Sequence, residues 1–288
     1  YLYDLDIAIL KDGVQTDAVS SYCGMRKIEV KKVGETPRIF LNGKQIFQMG
    51  PLDQGWWPDG LYTAPSDEAL LFDIKAMKAL EFNMIRKHIK IEPARWYMHC
   101  DREGILVWQD LPSPNLPSGY EDYAKKNFED ESKRIITAFR NHPSIIQWVV
   151  FNEGWGQFDT ERMTQIVIGE VGQSLVCCAS GWVDAPIGDI KDSHSYPNPS
   201  CPLDETRAGV CGEYGGITLK VQGHIWPGGD FQYTTVETGK DFTVLFNNLA
   251  DKVIDHYYYG LNAAVYTQLS DVEIEKNGIY TYDRRVLK

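Results

Sequence analysis

Between Pro37 and Gln268 the chain repeats one pattern: a short apolar run closed by polar residues, then a longer stretch with helical periodicity. The apolar runs predict strands at Ile46–Gly50, Asn83–His88, Ile105–Asp110, Ile145–Asn152, Leu175–Ser180, Ile190–His194, Gly209–Glu213 and Ala263–Gln268. Helices are predicted at Ser66–Leu80, Pro93–Glu103, Tyr120–Asn141, Thr160–Gly172 and Asp241–Tyr258. Ser66 suits an N-cap, Pro93 a first helical turn, and Gly104 a stop. The connections after the fifth and sixth strands are short and poor in helix signal. Eight strands alternating with helices predict a parallel α/β domain closed as a TIM (β/α)8 barrel. A doubly wound open sheet would want a Gly-rich phosphate turn after an early strand, and the sequence has none.

The start of the chain reads differently. YLYDLDIAIL alternates with period two, Lys11-Asp12-Gly13 is a turn signal, and Met25–Val30 is the second strand expected. A lone hairpin is marginal in water, so residues 1–33 are expected to be the C-terminal strands of an incomplete β-sandwich, with residues 34–288 forming the barrel. The length of 288 residues accommodates one barrel of roughly 250 residues with a short extra piece.

Composition narrows the function. A net charge of −11, spread along the chain, argues against a nucleic-acid partner. There is no stretch of 18 apolar residues to span a membrane. The opening residues lack the basic start and cleavage site of a signal peptide, which says little for a chain beginning at Tyr1. Cys23, Cys100, Cys177, Cys178, Cys201 and Cys211 form no CxxC pair or zinc spacing and read as buried thiols, with a Cys201–Cys211 disulfide as the alternative. Eight Trp and sixteen Tyr supply either a large core or flat faces for sugar stacking.

Chemistry enters at the strand ends, where a barrel keeps its working residues. Read in order they are Arg86 and His88, Asp110, Asn152 and Glu153, His194 and Tyr196, Glu213 and Tyr214, and Gln268. A lone Glu past a strand is ordinarily a surface carboxylate. Here two, in IIQWVVFNEGWGQFDT and AGVCGEYGG, close the fourth and seventh strands within Gly and aromatic residues. Paired carboxylates suit glycosidic bond cleavage, in which one protonates the leaving oxygen and the other supplies electron density to the anomeric carbon. Trp155 in the Gly-Trp-Gly loop, Trp226, and the rim residues Trp56 and Trp57 are candidate sugar platforms, and Asp53 and Asp110 are hydroxyl contacts or structural ion pairs. No HExxH, GxSxG or nucleotide-binding turn occurs, so neither a metal nor a cofactor is expected.

FNEGWGQFD and GEYGG resemble the acid/base and nucleophile segments of glycoside hydrolase family 2, the family of β-galactosidases, β-glucuronidases and β-mannosidases. GMRKIEV, FLNGKQIFQMG, NMIRKH and WYMHCDREGILVWQDLP are similar to that family's approach to its barrel and the first three strands, and YTQLSDVEIEKNGIYTYDR to the barrel's end. The resemblance implies that residues 1–30 end an immunoglobulin-like domain. It implies Glu153 as acid/base, Glu213 as nucleophile with Tyr214 beside it, and Asn152 bonded to the sugar 2-hydroxyl. Arg86 would stay near the nucleophile, and His88 and His194 would contact hydroxyls, although His88 sits one residue off the commoner Ser-His spacing. The expected protein is an exo-acting retaining β-glycosidase, β-galactosidase-like, acting on a β-linked oligosaccharide or glycoside, with preceding domains of the same protein helping to shape the pocket. Glucuronidase, mannosidase or transglycosylating members of the family, and a non-catalytic sugar-binding barrel, are the alternatives. A periplasmic or secreted location suits such a role.

Overall fold

The computed structural model describes residues 1–113, 122–229 and 231–288. The chain opens with a hairpin of β1 (Leu2–Lys11) and β2 (Val14–Gly24), then a three-stranded sheet of β3 (Ile28–Val33), β4 (Thr36–Leu41) and β5 (Lys44–Gln45). The barrel follows as β6 (Gln48–Asp53), α1 (Asp67–Ala79), β7 (Met84–Lys87), α2 (Ala94–Glu103), β8 (Leu106–Asp110), α3 (Asp122–Phe139), β9 (Ile145–Asn152), α4 (Thr160–Val171), β10 (Leu175–Ser180), β11 (Ile190–His194) and β12 (Ala208–Gly215). The short pair β13 (Ile217–Thr218) and β14 (Thr234–Thr235), α5 (Gly239–Tyr259) and β15 (Ala263–Thr267) complete it.

The eight long barrel strands pair in parallel in the order β10-β9-β8-β7-β6-β15-β12-β11, so the TIM barrel expectation is met. The seam between β10 and β11 is the exception to regular pairing. Asp189 N–H donates to Val176 O at 2.8 Å, and further inside Ser180 Oγ donates to Asp192 Oδ2 at 2.6 Å. No described helix follows either strand of the seam, as the sequence of those connections predicts.

Two apolar layers hold this frame. Leu52, Met84, Trp108, Ile146, Val210 and Val265 fill the barrel's interior, and Ile28 and Ile39 of β3 and β4 plug its amino end. Ile74, Met77, Ile85, Trp96, Val107, Ile136, Val167 and Leu249 pack helices on the outside of the strands. Strand alternation sorts residues between the layers: Met84 and Ile85 go to opposite sides, and so do Arg86 and Lys87.

Three expectations are corrected. The strand pairing with β1 is Val14–Gly24, not Met25–Val30, because an antiparallel ladder needs backbone groups rather than an apolar pattern. The first barrel strand, β6, runs through Pro51 to Asp53, tolerating one missing N–H, where the sequence suggested a stop at Gly50. The last helix begins two residues early, capped by Thr238 Oγ1, which accepts from Asp241 N–H at 3.1 Å. The start of the third predicted helix, at Tyr120 and Glu121, lies outside the described residues. All six cysteines are free, so the Cys201–Cys211 disulfide does not form.

Candidate active site

The carboxyl ends of the strands converge on Glu153 and Glu213, whose carboxylates and the His194 ring present atoms within 4.8 Å of one another. Each carboxylate is aimed by an irregularity in its strand. Glu153 takes a left-handed backbone, φ 55°, as β9 ends, a conformation costing roughly 1–3 kcal/mol, and its N–H is tied to Ser180 O at 2.7 Å. The register of β12 shifts between Cys211 and Tyr214, and that of β11 between Ser193 and His194, which re-aims Glu213 and His194 toward the cleft. Gly181 leaves room beside this pair: a Cβ there would lie 3.0 Å from Glu153 Cγ.

Glu213 is nearly closed off, and three groups meet it. Arg86 Nη1 donates to Oε1 at 3.3 Å, Tyr196 Oη donates to Oε2 at 2.5 Å, and His194 Nδ1 lies 3.5 Å from Oε2. Burial opposes its charge, but His194, Arg86, His88 and the Tyr196 hydrogen bond outweigh it and hold the pKa below the usual carboxylate value. Tyr196 is itself fixed by a contact with Thr267 Oγ1 at 2.7 Å and by stacking on Tyr233 at 3.8 Å.

Arg86 organises the centre. Its guanidinium grips Asp110 with two bonds, 3.1 and 2.9 Å, and donates to Asn152 Oδ1 at 2.8 Å and to Gly212 O at 3.0 Å. The Asn152 amide oxygen is thereby committed, and its other end remains a donor. Asp110 also meets His88 Nδ1 at 3.0 Å, so it is an ion-pair residue, fully buried, rather than an open hydroxyl contact.

His194 bridges the two carboxylates. Nδ1 lies 2.8 Å from Glu153 Oε1, and Nε2 lies 2.7 Å from Ser180 Oγ, which in turn donates to buried Asp192. Asp192 Oδ1 accepts from Gly212 N–H at 2.7 Å, and a Cβ on Gly212 would collide with it at 2.3 Å. Burial disfavours the imidazolium, but Glu213, Glu153 and Asp192 raise the ring's pKa above the ordinary histidine value. Both ring nitrogens are engaged by protein groups, so His194 holds carboxylates where a sugar-hydroxyl contact was expected. Glu153, His194 and Glu213 carry metal-ligand atom types, but Arg86 already supplies positive charge beside them.

Other expected residues fall into distinct places. Trp155 is 46% exposed in the loop after β9. Trp226 packs edge-on against Tyr282 at 5.4 Å and reads as an anchor. Tyr214 is a correction: it points into the outer apolar layer, edge-on to Tyr266, because β12 alternates away from the cleft at that residue. Gln268 is buried in a mesh: its Oε1 accepts from Gln54 Nε2 at 3.0 Å, and its Nε2 donates to Glu275 Oε2 and Asn277 Oδ1 at 2.9 and 2.8 Å. Asp53 pairs with Lys87 outside the barrel. Sequence reading passed over Ser180, Asp192, Tyr233 and Glu275; the one local signal was an Asp at the centre of the short strand IKDSH.

The comparisons agree with this geometry. Residues 35–174 match the family model of glycosyl hydrolases family 2, TIM barrel domain. Curated relatives include a β-galactosidase of Oenococcus oeni, 32% identical over 169 residues, covering 54% of this chain and 16% of that protein. A β-glucuronidase of Bacteroides fragilis is 29% identical over 165 residues, covering 53% of this chain and 22% of that protein. The chain therefore spans only a small part of the length of these relatives. Among solved structures, a β-glucuronidase from Ruminococcus gnavus with a C6-substituted uronic isofagomine superposes with a TM-score of 0.77 at 18% identity, covering 99% of this chain and 55% of that one. A GH2 β-galacturonidase from Eisenbergiella tayi bound to galacturonate gives 0.77 at 17%, covering 99% and 56%. At such identities the likeness speaks for the fold. Residues 35–174, just under half of the chain, thus carry the match to the TIM barrel domain of glycosyl hydrolases family 2, and the superpositions extend the barrel fold over the rest.

Proposed function

We propose that this barrel is the catalytic domain of an exo-acting retaining β-glycosidase of β-galactosidase type, working by double displacement. The observation that carries the proposal is the spacing of the two carboxylates, whose oxygens approach within 4.8 Å. That bound fits the separation of about 5 Å typical of direct attack better than the roughly 6.5–9.5 Å that a general-base water needs. In this reading Glu213, held ionised by Arg86, Tyr196 and His194, attacks the anomeric carbon, while Glu153 gives its proton to the leaving oxygen. The second step runs in reverse: Glu153 takes a proton from water, which attacks the glycosyl ester and frees Glu213. The greater exposure of Glu153, 19% against 7% for the Glu213 side chain, suits the group that must meet the leaving group and then water. Asn152 donates to the substrate's 2-hydroxyl with the amide end that Arg86 leaves over.

The β1–β2 hairpin belongs, in this reading, to an immunoglobulin-like domain of the whole protein. Its Ile7, Ile9, Val14 and Val19 are all more than half exposed, which two strands alone do not sustain in water. The test of the catalytic proposal is labelling with 2-deoxy-2-fluoro glycosides bearing good leaving groups, followed by intact mass and peptide mapping. A stable adduct on Glu213 is expected; an adduct on another carboxylate, or none with any sugar on a longer chain that includes the preceding domains, would sink it.

A further inference from the structure

Opposite the proposed acid/base, across the barrel, stands a third carboxylate that the double displacement does not use. In the circular strand order β9, which delivers Glu153, lies four places from β15, so the residues following β15 face it across the mouth. Glu275 is held there by Gln54, just past β6, and Gln268, just past β15, whose amide nitrogens both donate to Oε2 at 2.9 Å. Oε1 has no protein hydrogen-bond partner among the described residues. No Lys or Arg forms an ion pair with Glu275 among the described residues, and the adjacent Lys276 turns away to donate to Gly229 O at 3.0 Å. Glu275 is near enough to the cleft for its charge to be felt by Tyr233 and for it to feel His88 and Glu213.

We propose that Glu275 is a specificity-determining residue: its free carboxylate oxygen accepts hydroxyls on the edge of the terminal sugar remote from the anomeric carbon, and the barrel therefore selects a neutral glycoside and rejects a uronide. This rests on the glycosidase reading for the orientation of the sugar. With the anomeric carbon between Glu153 and Glu213, the far edge of the ring, carbons 4 and 6, faces the β15 wall. A hydroxymethyl or hydroxyl group offers a donor to Glu275. A uronide brings a second carboxylate to the same place, where the two guanidinium nitrogens of Arg86 nearest the cleft are already divided among Asp110, Asn152, Gly212 and Glu213. Two carboxylates at short range in a half-buried site, held by amides and with no lysine or arginine paired to Glu275 among the described residues, repel one another.

The experiment measures binding of p-nitrophenyl β-thiogalactoside, β-thioglucoside and β-thiomannoside against the β-thioglucuronide and β-thiogalacturonide, on the wild type, Glu275→Gln and Glu275→Asp. These ligands need no turnover. The wild type is expected to bind its best neutral ligand roughly 10- to 100-fold more tightly than the matching uronide, the size of a charge-assisted hydrogen bond exchanged for a repulsion. Glu275→Gln should reduce that ratio at least about tenfold, and Glu275→Asp, which keeps the charge, should preserve its sign. Because the readout is a ratio of two ligands on one sample, a partly unfolded variant does not imitate it. A wild type that prefers a uronide, a ratio unmoved in Glu275→Gln, or no binding of any neutral ligand overturns the proposal. Hydrolysis of the corresponding O-glycosides is scored separately: binding with the expected ratio but no turnover would count against the glycosidase reading alone.

Discussion

Arg86 and Lys87 are neighbours on one strand, both wholly buried, and both matched with two carboxylates, yet they serve opposite sides of the barrel wall. Arg86 points inward to Asp110 and Glu213. Lys87 points outward to Asp53 and Glu92 and lies over the ring of Trp96 at 4.3 Å. The outer cluster is extended by Lys90, which reaches Glu92 and Gly55 O and so ties the loop after β6 to the frame. In both clusters burial works against the charged forms, and in both the surrounding carboxylates prevail, raising the pKa of the cation. The difference lies in what else each cluster touches. Every carboxylate around Lys87 is consumed by lysines. Around Arg86 one carboxylate, Glu213, is also held by Tyr196 and His194, and a second carboxylate, Glu153, stands within reach. A buried ion pair is weak evidence of function by itself; a buried ion pair that presents a carboxylate to a cleft is a site.

Substitution with an uncharged residue of similar length separates the two. Arg86→Met should have the largest effect, because it strands Asp110 and Glu213 together and removes the donor that fixes Asn152. The expected loss is roughly 3–5 kcal/mol of stability, and kcat/KM on an aryl glycoside should fall by about 100-fold or more in the fraction that remains folded. Thermal unfolding and kinetics corrected for folded fraction measure the two losses. Unchanged kinetics would place Arg86 with the structural ion pairs.

Lys87→Met comes next. It leaves Asp53 and Glu92 sharing only Lys90, so a stability loss of similar size, roughly 3–5 kcal/mol, is expected. Its kcat should stay within about threefold of the wild type, since none of the cluster's side chains hydrogen-bonds to Glu213, Arg86, Tyr196 or His194. A kcat loss as large as that of Arg86→Met would erase the distinction between the two sides of the strand.

The same strand shows what the sequence could and could not convey. That β7 ends in charged residues beneath an apolar run is written in NMIRKH, and the paired Glu segments announce themselves through their Gly and aromatic surroundings. The partners are another matter. Asp110 suggested a hydroxyl contact or an ion pair with equal force, because local sequence carries no information on which strand-end cation lies on the strand beside it. The resemblance implied Tyr214 beside Glu213 in the site, but the shift in β12 aims one into the cleft and leaves the other in the apolar layer. Ser180, Asp192 and Glu275 are ordinary polar residues until the seam between β10 and β11, and the mesh beyond β15, bring them to the mouth. Periodicity specified the frame; contacts between strands distant in sequence made the site.

The smallest effect, and the sharpest on charge, belongs to His194→Asn. Asn preserves a polar group between Glu153 and Glu213 but cannot carry the proton that Asp192, through Ser180, and the two glutamates favour on the ring. Burial raises the pKa of Glu213, and among the groups that lower it His194 comes before Arg86 and His88. Removing that cation therefore raises the pKa of Glu213, and the acid limb of kcat/KM should move toward neutral pH. Stability follows the opposite course. The pKa of His194 is higher folded than unfolded, so its contribution is complete below about pH 6.5 and is lost as pH rises through the folded value. The stability gap between wild type and variant should thus be widest under mildly acidic conditions and narrow above neutrality, which denaturant titrations at several pH values would show. The depressed Glu213 works the other way, stabilising above the ordinary carboxylate value and fading as pH falls through its folded pKa. An acid limb that stays in place, with a stability gap independent of pH, would mean that His194 is a neutral spacer and that Arg86 alone keeps the proposed nucleophile ionised.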